Sequence, residues 1–321
     1  MDDEQDKFTD KTLEYLRREM AIYPKQLTEK LIMFIYEHEK RLERNGVIFG
    51  LSGGLDSAVL AELCVMAVGT EKTMALLMPE KDSKEEHILD ARNIVKRLGI
   101  KSKEINMTKY LKAIGLYHIF PLDAFVPKRY RARLVDKSYK YYESIRSVPY
   151  FSRTLIGSDT GLTGSIVNRS IAYYRAKHRM RMLLLYMYGE RENRLIAGAA
   201  NKTEYLIGYF VKHGIDSATD IMPIMGLYKT QVIELAKYLS IPAHIIEKAP
   251  SPDIISGLVD ETAIGLPYEK LDLILLAIEK GWSDEDMEQV LSEINITKKD
   301  ITYVRGLMRQ SEHMRTVYAA D

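Results

Sequence analysis

Residues 52–57 read Ser-Gly-Gly-Leu-Asp-Ser and follow directly on the apolar run Val47-Ile48-Phe49. Two adjacent glycines allow positive φ and let backbone approach a ligand closely. Ser52 and Ser57 add hydroxyls, and backbone N–H groups at the start of a helix form an anion cradle. Asp56 is the odd member, because a carboxylate repels phosphate. It fits if a divalent cation lies between the two, since Mg²⁺ joins one or two carboxylates to substrate phosphates. Gly50 to Ser57 therefore reads as a pyrophosphate site with a metal. The blander reading is a tight strand-to-helix turn capped by Asp56. The stretch is not a Walker loop, which ends in Gly-Lys-Ser/Thr, and it lacks the Gly-x-Gly-x-x-Gly of dinucleotide sites.

Such a loop needs a strand before it and a helix after it. Residues 47–51 form the apolar strand, and 55–68 predict a helix. Upstream, 24–44 carry Leu27, Leu31, Phe34, Ile35 and Leu42 at helical spacing, with Pro24 in the first turn and Gly46 past the end. "TMALLMP" (73–79) predicts a second strand, Ser83 to Glu86 a capping box, and "SKEIN" (102–106) a weaker third strand. Strand, helix, strand, helix, strand is the signature of a parallel sheet covered on both faces, an α/β doubly wound fold. The alternation resumes with helix 170–188, strand 194–199 and helix 228–239. A helical C-terminal portion follows over 267–280, 283–294 and 297–312. Residues 107–168 break the rhythm with an Arg-, Lys- and Tyr-rich stretch. It reads either as a contact to nucleotide or partner or as a solvated insertion. With no repeat and no Pro/Gly/Ser linker, one domain over 1–321 is expected, with an insertion at about 110–165.

The 321 residues are 46% hydrophobic and 28% charged, which suits a soluble globular protein. Lys plus Arg is 46 against 45 Asp plus Glu, so no global basic field argues for nucleic acid. No apolar run approaches the roughly 18 residues of a membrane span. The N-terminus, "MDDEQDKFTDK", is the reverse of a secretory signal. The single cysteine, Cys64, lies among apolar residues of a predicted helix; it reads as a buried structural thiol, and a cytoplasmic setting is the default.

The chain resembles the ATP pyrophosphatases, whose phosphate loop is "SGGLDS". Beyond that loop, "LLMPEKDS" (76–83), "AKHRMRMLLLY" (176–186), "GAANKTEYLIGYFVKHG" (198–214), "DIMPIMGLYKTQVIELAKYL" (220–239), "KAPSPD" (248–253), "DETAIGLPYEKLD" (260–272) and "SEHMR" (311–315) follow in the order and approximate spacing of NAD synthetases. The resemblance spans nearly all of 24–315 apart from the insertion. It implies an adenine nucleotide alpha-hydrolase-like fold and amidation of nicotinic acid adenine dinucleotide with ATP. Adenylation turns a carboxylate oxygen into AMP, a good leaving group, and ammonia displaces it.

The resemblance implies roles residue by residue. Gly50, Ser52, Gly53, Gly54, Asp56 and Ser57 hold ATP phosphates, with Asp56 on Mg²⁺ and Glu204 as second magnesium ligand. Lys229 and Ser251 touch ATP, and catalysis rests on Asp56, Ser52 and Lys229. Lys177, Lys212, Asp220 and His313 hold the acid dinucleotide. No stretch resembles a glutaminase domain, so free ammonia is expected as nitrogen donor, and family members are homodimers.

The departures cluster on the acceptor side. Gly198-Ala199 stands for Gly-Thr, Ala176-Lys177 for Ala-Arg, Ala172-Tyr173 for Gly-Asn and His313-Met314 for His-Lys, and the spacing from Lys212 to Asp220 is one residue longer. Arg to Lys exchanges a fork for a point charge. The metal and pyrophosphate elements are intact. An amide ligase acting on a different carboxylate is therefore the alternative. A tRNA-modifying pyrophosphatase is disfavoured by the lone cysteine, and a non-catalytic ATP binder by the retained Asp56 and Glu204.

Overall fold

A computed structural model describes residues 11–119, 151–152, 155, 162–215, 217–248 and 260–319. The order begins with α1 (Leu13–Met20), α2 (Pro24–Arg41), β1 (Val47–Gly50), α3 (Leu55–Val68), β2 (Thr73–Leu77), α4 (Glu85–Leu98) and β3 (Lys101–Glu104). Then come α5 (Thr108–Ala113), α6 (Leu116–Ile119), α7 (Leu162–Arg191), β4 (Leu195–Ala197), α8 (Lys202–Ile207), α9 (Lys229–Tyr238) and α10 (Ala243–Ile246). The chain ends in α11 (Asp260–Ile264), α12 (Tyr268–Glu279), α13 (Asp284–Leu291), α14 (Lys298–Gln310) and α15 (Glu312–Arg315).

The strands form one parallel sheet ordered β3-β2-β1-β4. Val47 pairs with Thr73 on one side and with Leu195 on the other. Side chains alternate across the sheet as the period of two requires. Val47, Phe49, Ala75, Leu77, Leu195 and Ala197 join a core with α2, α3, α4 and α9. Ile48, Met74, Leu76 and Ile196 join another with Leu184, Leu185 and Tyr188 of α7. This is the doubly wound α/β arrangement. The edge strand β3 is exposed throughout and reads Lys-Ser-Lys-Glu, a charged edge that discourages pairing with another chain. A third core joins α1, α8 and α12 to α14 around Trp282, forming the helical C-terminal portion.

Several expected elements differ at their ends. Ser83 does not cap α4; its hydroxyl accepts the Glu80 N–H at 3.1 Å, so it closes the turn after β2 and the helix begins at Glu85. Strand β4 stops at Ala197; Gly198 N–H then donates to the Ile221 carbonyl at 2.9 Å, and a Cβ on Gly198 would lie 2.5 Å from Thr219 Oγ1. Helix α7 runs from Leu162 to Arg191, longer at both ends than the 170–188 that the apolar spacing predicts. The 110–165 insertion falls largely outside the described residues. Among the described residues no helix is long and apolar enough to cross a membrane.

Candidate active site

The carboxyl ends of β1, β2 and β4 open onto one cavity of about 240 Å³. This is where ligands bind in parallel sheets. The loop after β1 is shaped by its glycines. Gly53 has φ 82°, and a Cβ on it would sit 2.1 Å from the His87 carbonyl oxygen, so the turn can press onto α4 only as glycine. Ser57 Oγ donates to the Gly54 carbonyl at 3.0 Å and lies 3.1 Å from Ser52 Oγ, while Gly54 N–H donates to Ser52 Oγ at 3.2 Å. Helix α3 starts at this turn with Gly54 as N-cap and no side-chain cap, leaving the positive helix end for an anion.

Three carboxylates from three elements surround one lysine at the loop. Lys229, at the first turn of α9, is 2% exposed. Its Nζ lies 2.5 Å from Asp56 Oδ2 and 3.3 Å from Glu204 Oε1. Asp260, at the start of α11, accepts from Tyr209 Oη at 2.9 Å and Tyr268 Oη at 3.3 Å. Burial works against the charge on Lys229, but attraction to Asp56, Glu204 and Asp260 outweighs it and holds the ammonium well above its ordinary range. Burial pushes Glu204 up to about 8; Lys229 opposes the shift, and Asp56 and Asp260 add to it. Burial likewise raises Asp260.

Asn201 ties this cluster to the sheet. Its amide donates to Asp56 Oδ1 at 3.1 Å, and its carbonyl oxygen accepts the Glu204 N–H at 3.0 Å as N-cap of α8. One ammonium against three carboxylates leaves the cluster short of positive charge, and its open donors are oxygens. That chemistry suits a hard divalent cation. Among the described residues no three His, Cys, Asp or Glu side chains already converge on a metal position.

The rest of the cavity is mixed. Leu77, Met78, Ile88 and Ala91 give an apolar wall between β2 and α4. Tyr174, His178 and Arg181, at helical spacing on α7, also line it, with Arg181 Nε donating to the Met78 carbonyl at 3.4 Å. Lys248 lines the cavity too and is paired with Asp90.

The residues expected for the acid dinucleotide are not gathered in this cavity. Lys177 is 1% exposed, with Nζ 2.8 Å from Glu80 Oε1 and 2.7 Å from Asp82 Oδ2. The Tyr173 ring covers the ammonium at 4.2 Å, and Tyr173 Oη donates to Asp82 at 2.5 Å. Burial would raise Asp82, yet Lys177 and Tyr173 hold it below its ordinary range. Lys and Tyr at 177 and 173 thus build an internal strut between α7 and the β2–α4 loop. Lys212 and His313 do come together, but through backbone: Lys212 Nζ donates to the carbonyls of His313 at 2.6 Å and Thr316 at 2.7 Å. The His313 ring is exposed. Asp220 Oδ2 accepts the Ile196 N–H at 2.9 Å beside β4. Ser251 lies outside the described residues.

Asn201, Asp260 and Asp272 are functional candidates that the sequence reading did not single out. Asn201 and Asp260 touch or flank the cluster, and Asp272 sits behind it. The signal for them was present: each lies inside a quoted stretch, "GAANKTEYL" or "DETAIGLPYEKLD".

The NAD synthase family model matches residues 27–137 and 161–318. The chain is 41% identical over 266 residues to the NH(3)-dependent NAD(+) synthetase of Thermotoga maritima, covering 82% of this chain and 92% of that one. It is 36% identical over 292 residues to the protein of the same name from Methanocaldococcus jannaschii, covering 91% and 95%. Among solved structures it resembles an NMN synthetase from Francisella tularensis, with TM-score 0.68 and 26% identity over 94% of this chain and 99% of that one. An NH3-dependent NAD synthetase from Campylobacter jejuni follows with TM-score 0.64 and 26% identity over the same shares, 94% and 99%.

Proposed function

The chain belongs to the NAD synthase family, and on that premise we propose that it amidates nicotinic acid adenine dinucleotide with ATP and ammonia, releasing pyrophosphate and AMP. It is an ATP-dependent carbon–nitrogen ligase. The observation that carries this reading is the Asp56–Lys229–Glu204 cluster at the mouth of the Gly53-Gly54 turn.

The substrate carboxylate attacks the α-phosphorus, an acyl–oxygen–phosphorus bond forms, and the bond to the β-phosphate breaks. Pyrophosphate leaves with the electron pair. The N–H groups at the start of α3, the Ser52 hydroxyl and the ammonium of Lys229 would be donors for that developing charge, with Ser57 bracing the turn through the Gly54 carbonyl. Ammonia then attacks the activated carbonyl, AMP departs, and the nitrogen loses a proton to solvent. Asp56 and Glu204 would hold Mg²⁺, which when bound neutralises phosphate charge. The apolar wall of Leu77, Met78 and Ala91 suits the flat adenine base. Lys177, Lys212, Asp220 and His313 remain the candidates for the acid dinucleotide.

A homodimer in the cytoplasm is part of the proposal. The family resemblance supports it, and Leu183 and Met187, 59% and 48% exposed one turn apart on α7, give an apolar face suited to burial against a second copy. Ammonia as nitrogen donor is supported by the names of the curated relatives.

One observation favours a second acid. The Francisella tularensis neighbour is titled an NMN synthetase, and Lys177, where the family has Arg, is engaged with Glu80 here. Nicotinic acid mononucleotide is therefore the alternative acceptor. Pyrophosphate release with ATP, Mg²⁺ and ammonium, tested with each acid and with products weighed by mass spectrometry, decides between them. NAD from the dinucleotide at the higher kcat/KM supports the proposal; preference for the mononucleotide overturns it in favour of the alternative.

A further inference from the structure

Asp272, on α12, is fully buried, and the hydrogen bonds it accepts all come from neutral donors. Thr203 Oγ1 donates to Oδ1 at 2.6 Å. The backbone N–H and the hydroxyl of Thr230 both donate to Oδ2, each at 2.8 Å. Thr203 Oγ1 in turn accepts the backbone N–H of Lys229 at 2.9 Å. Thr203 precedes Glu204 on α8, and Lys229 precedes Thr230 in the first turn of α9. One carboxylate from a third helix thus fixes both the segment that carries Glu204 and the segment that carries Lys229.

The polarity of this relay matters. Because the Thr203 hydroxyl gives its proton to Asp272, its lone pairs face Lys229 N–H. A carboxylate is acceptor-only, so it can satisfy Thr203 and both Thr230 donors at once. An amide cannot. With its oxygen toward Thr203, its NH₂ meets the Thr230 N–H; with its NH₂ toward Thr203, the hydroxyl proton loses its acceptor. Burial pushes Asp272 up to about 6, against the hydrogen bonds from Thr203 and Thr230, which leaves it ionised at neutral pH. The N–H groups at the start of α9 favour the anion further.

We propose that Asp272 is a positioning residue that, through Thr203, holds Lys229 and Glu204 in register for pyrophosphate departure. It touches no reacting atom. A displacement of these groups by a fraction of an ångström costs rate without costing the fold, since misplacement by about 1 Å can lower rates about 100-fold. The proposal rests on the amidating activity for its first readout and on ATP affinity for its second.

The test compares Thr203→Val, which keeps shape but removes the hydroxyl, with Thr203→Ser, which keeps the hydroxyl, and with Asp272→Asn. Steady-state kinetics with nicotinic acid adenine dinucleotide, ammonium and Mg²⁺-ATP are read beside thermal unfolding. Thr203→Val and Asp272→Asn should lower kcat about tenfold or more, with KM for the acid within about twofold, and Thr203→Ser should recover most of kcat. The double variant Thr203→Val/Asp272→Asn should be no slower than the slower single one. Equal kcat for the Val and Ser variants, or full activity of Asp272→Asn, overturns the proposal. If the unmodified enzyme does not turn over this acid, the choice of the dinucleotide as acceptor has failed on its own. Calorimetric Mg²⁺-ATP binding then decides: weaker binding by Thr203→Val than by Thr203→Ser supports the role, and equal binding refutes it.

Discussion

Replacing Glu204 by Gln should stabilise the metal-free protein at alkaline pH while removing its activity. Glu204 has its side chain at the three-carboxylate cluster, where burial pushes it up to about 8, against an unfolded value of about 4.3. A carboxyl raised in the fold binds its proton more tightly there than in the unfolded chain. Its contribution to stability is therefore complete below about pH 4.3 and is lost progressively as pH climbs through about 8. Gln resembles the protonated form at every pH and keeps an oxygen for Lys229, 3.3 Å away. The two proteins should match only below about pH 4, differ by about 1 kcal/mol at pH 5, and diverge further upward from there. Each pKa unit is worth about 1.4 kcal/mol, so the gap at pH 8.5 is on the order of a few kcal/mol. For a chain of this size that is a Tm difference on the order of 5 °C. Thermal unfolding in chelator-treated buffer at pH 5.0, 7.0 and 8.5 reads it directly. Added Mg²⁺ should stabilise the unmodified protein at pH 8.5 more than the variant, because only the former offers a second carboxylate. A variant no more stable than its parent at pH 8.5 would refute the electrostatic account of the cluster.

Gly53→Ala forces a side chain to φ 82° with its Cβ 2.1 Å from the His87 carbonyl. The left-handed backbone alone costs about 1–2 kcal/mol, and KM for ATP should rise at least tenfold as the turn shifts; an unchanged KM would contradict the cradle geometry. Lys177→Met leaves Glu80 and Asp82 without their ammonium and should cost about 3–5 kcal/mol in urea unfolding. If Lys177 instead served the substrate from the surface, that variant would lose affinity for the acid with stability intact. Cys64→Ala should remain active, since burial pushes the thiol far above its ordinary range and keeps it from reacting. Loss of turnover there would reopen a role for the thiol.

What could be read in advance was whatever is local. The helix after the glycine turn was expected over 55–68 and runs from Leu55 to Val68, because the turn chemistry before it and Gly69 after it both act within a few residues. The parallel sheet followed from alternating strands and helices. Charge pairing between distant segments was not legible. The resemblance predicts a substrate contact for Lys177; its pairing with Glu80 and Asp82, nearly a hundred residues earlier, was not foreseen. Ser83 has the spacing of a cap, but the Glu80 amide takes its hydroxyl. Asp260 and Asp272 look alike in sequence, both carboxylates at the ends of one stretch. Only packing separates them, bringing Asp260 beside Lys229 and putting Asp272 behind the helices that carry Lys229 and Glu204.

The transfer of AMP to a carboxylate oxygen can be followed atom by atom. Nicotinic acid adenine dinucleotide labelled with ¹⁸O in its carboxylate, turned over with ATP, Mg²⁺ and ammonium, should yield AMP carrying one labelled oxygen and unlabelled pyrophosphate. Label in orthophosphate or pyrophosphate, or AMP without label beside an amidated product, would contradict activation through an acyl-adenylate at the turn formed by Ser52, Gly53 and Gly54.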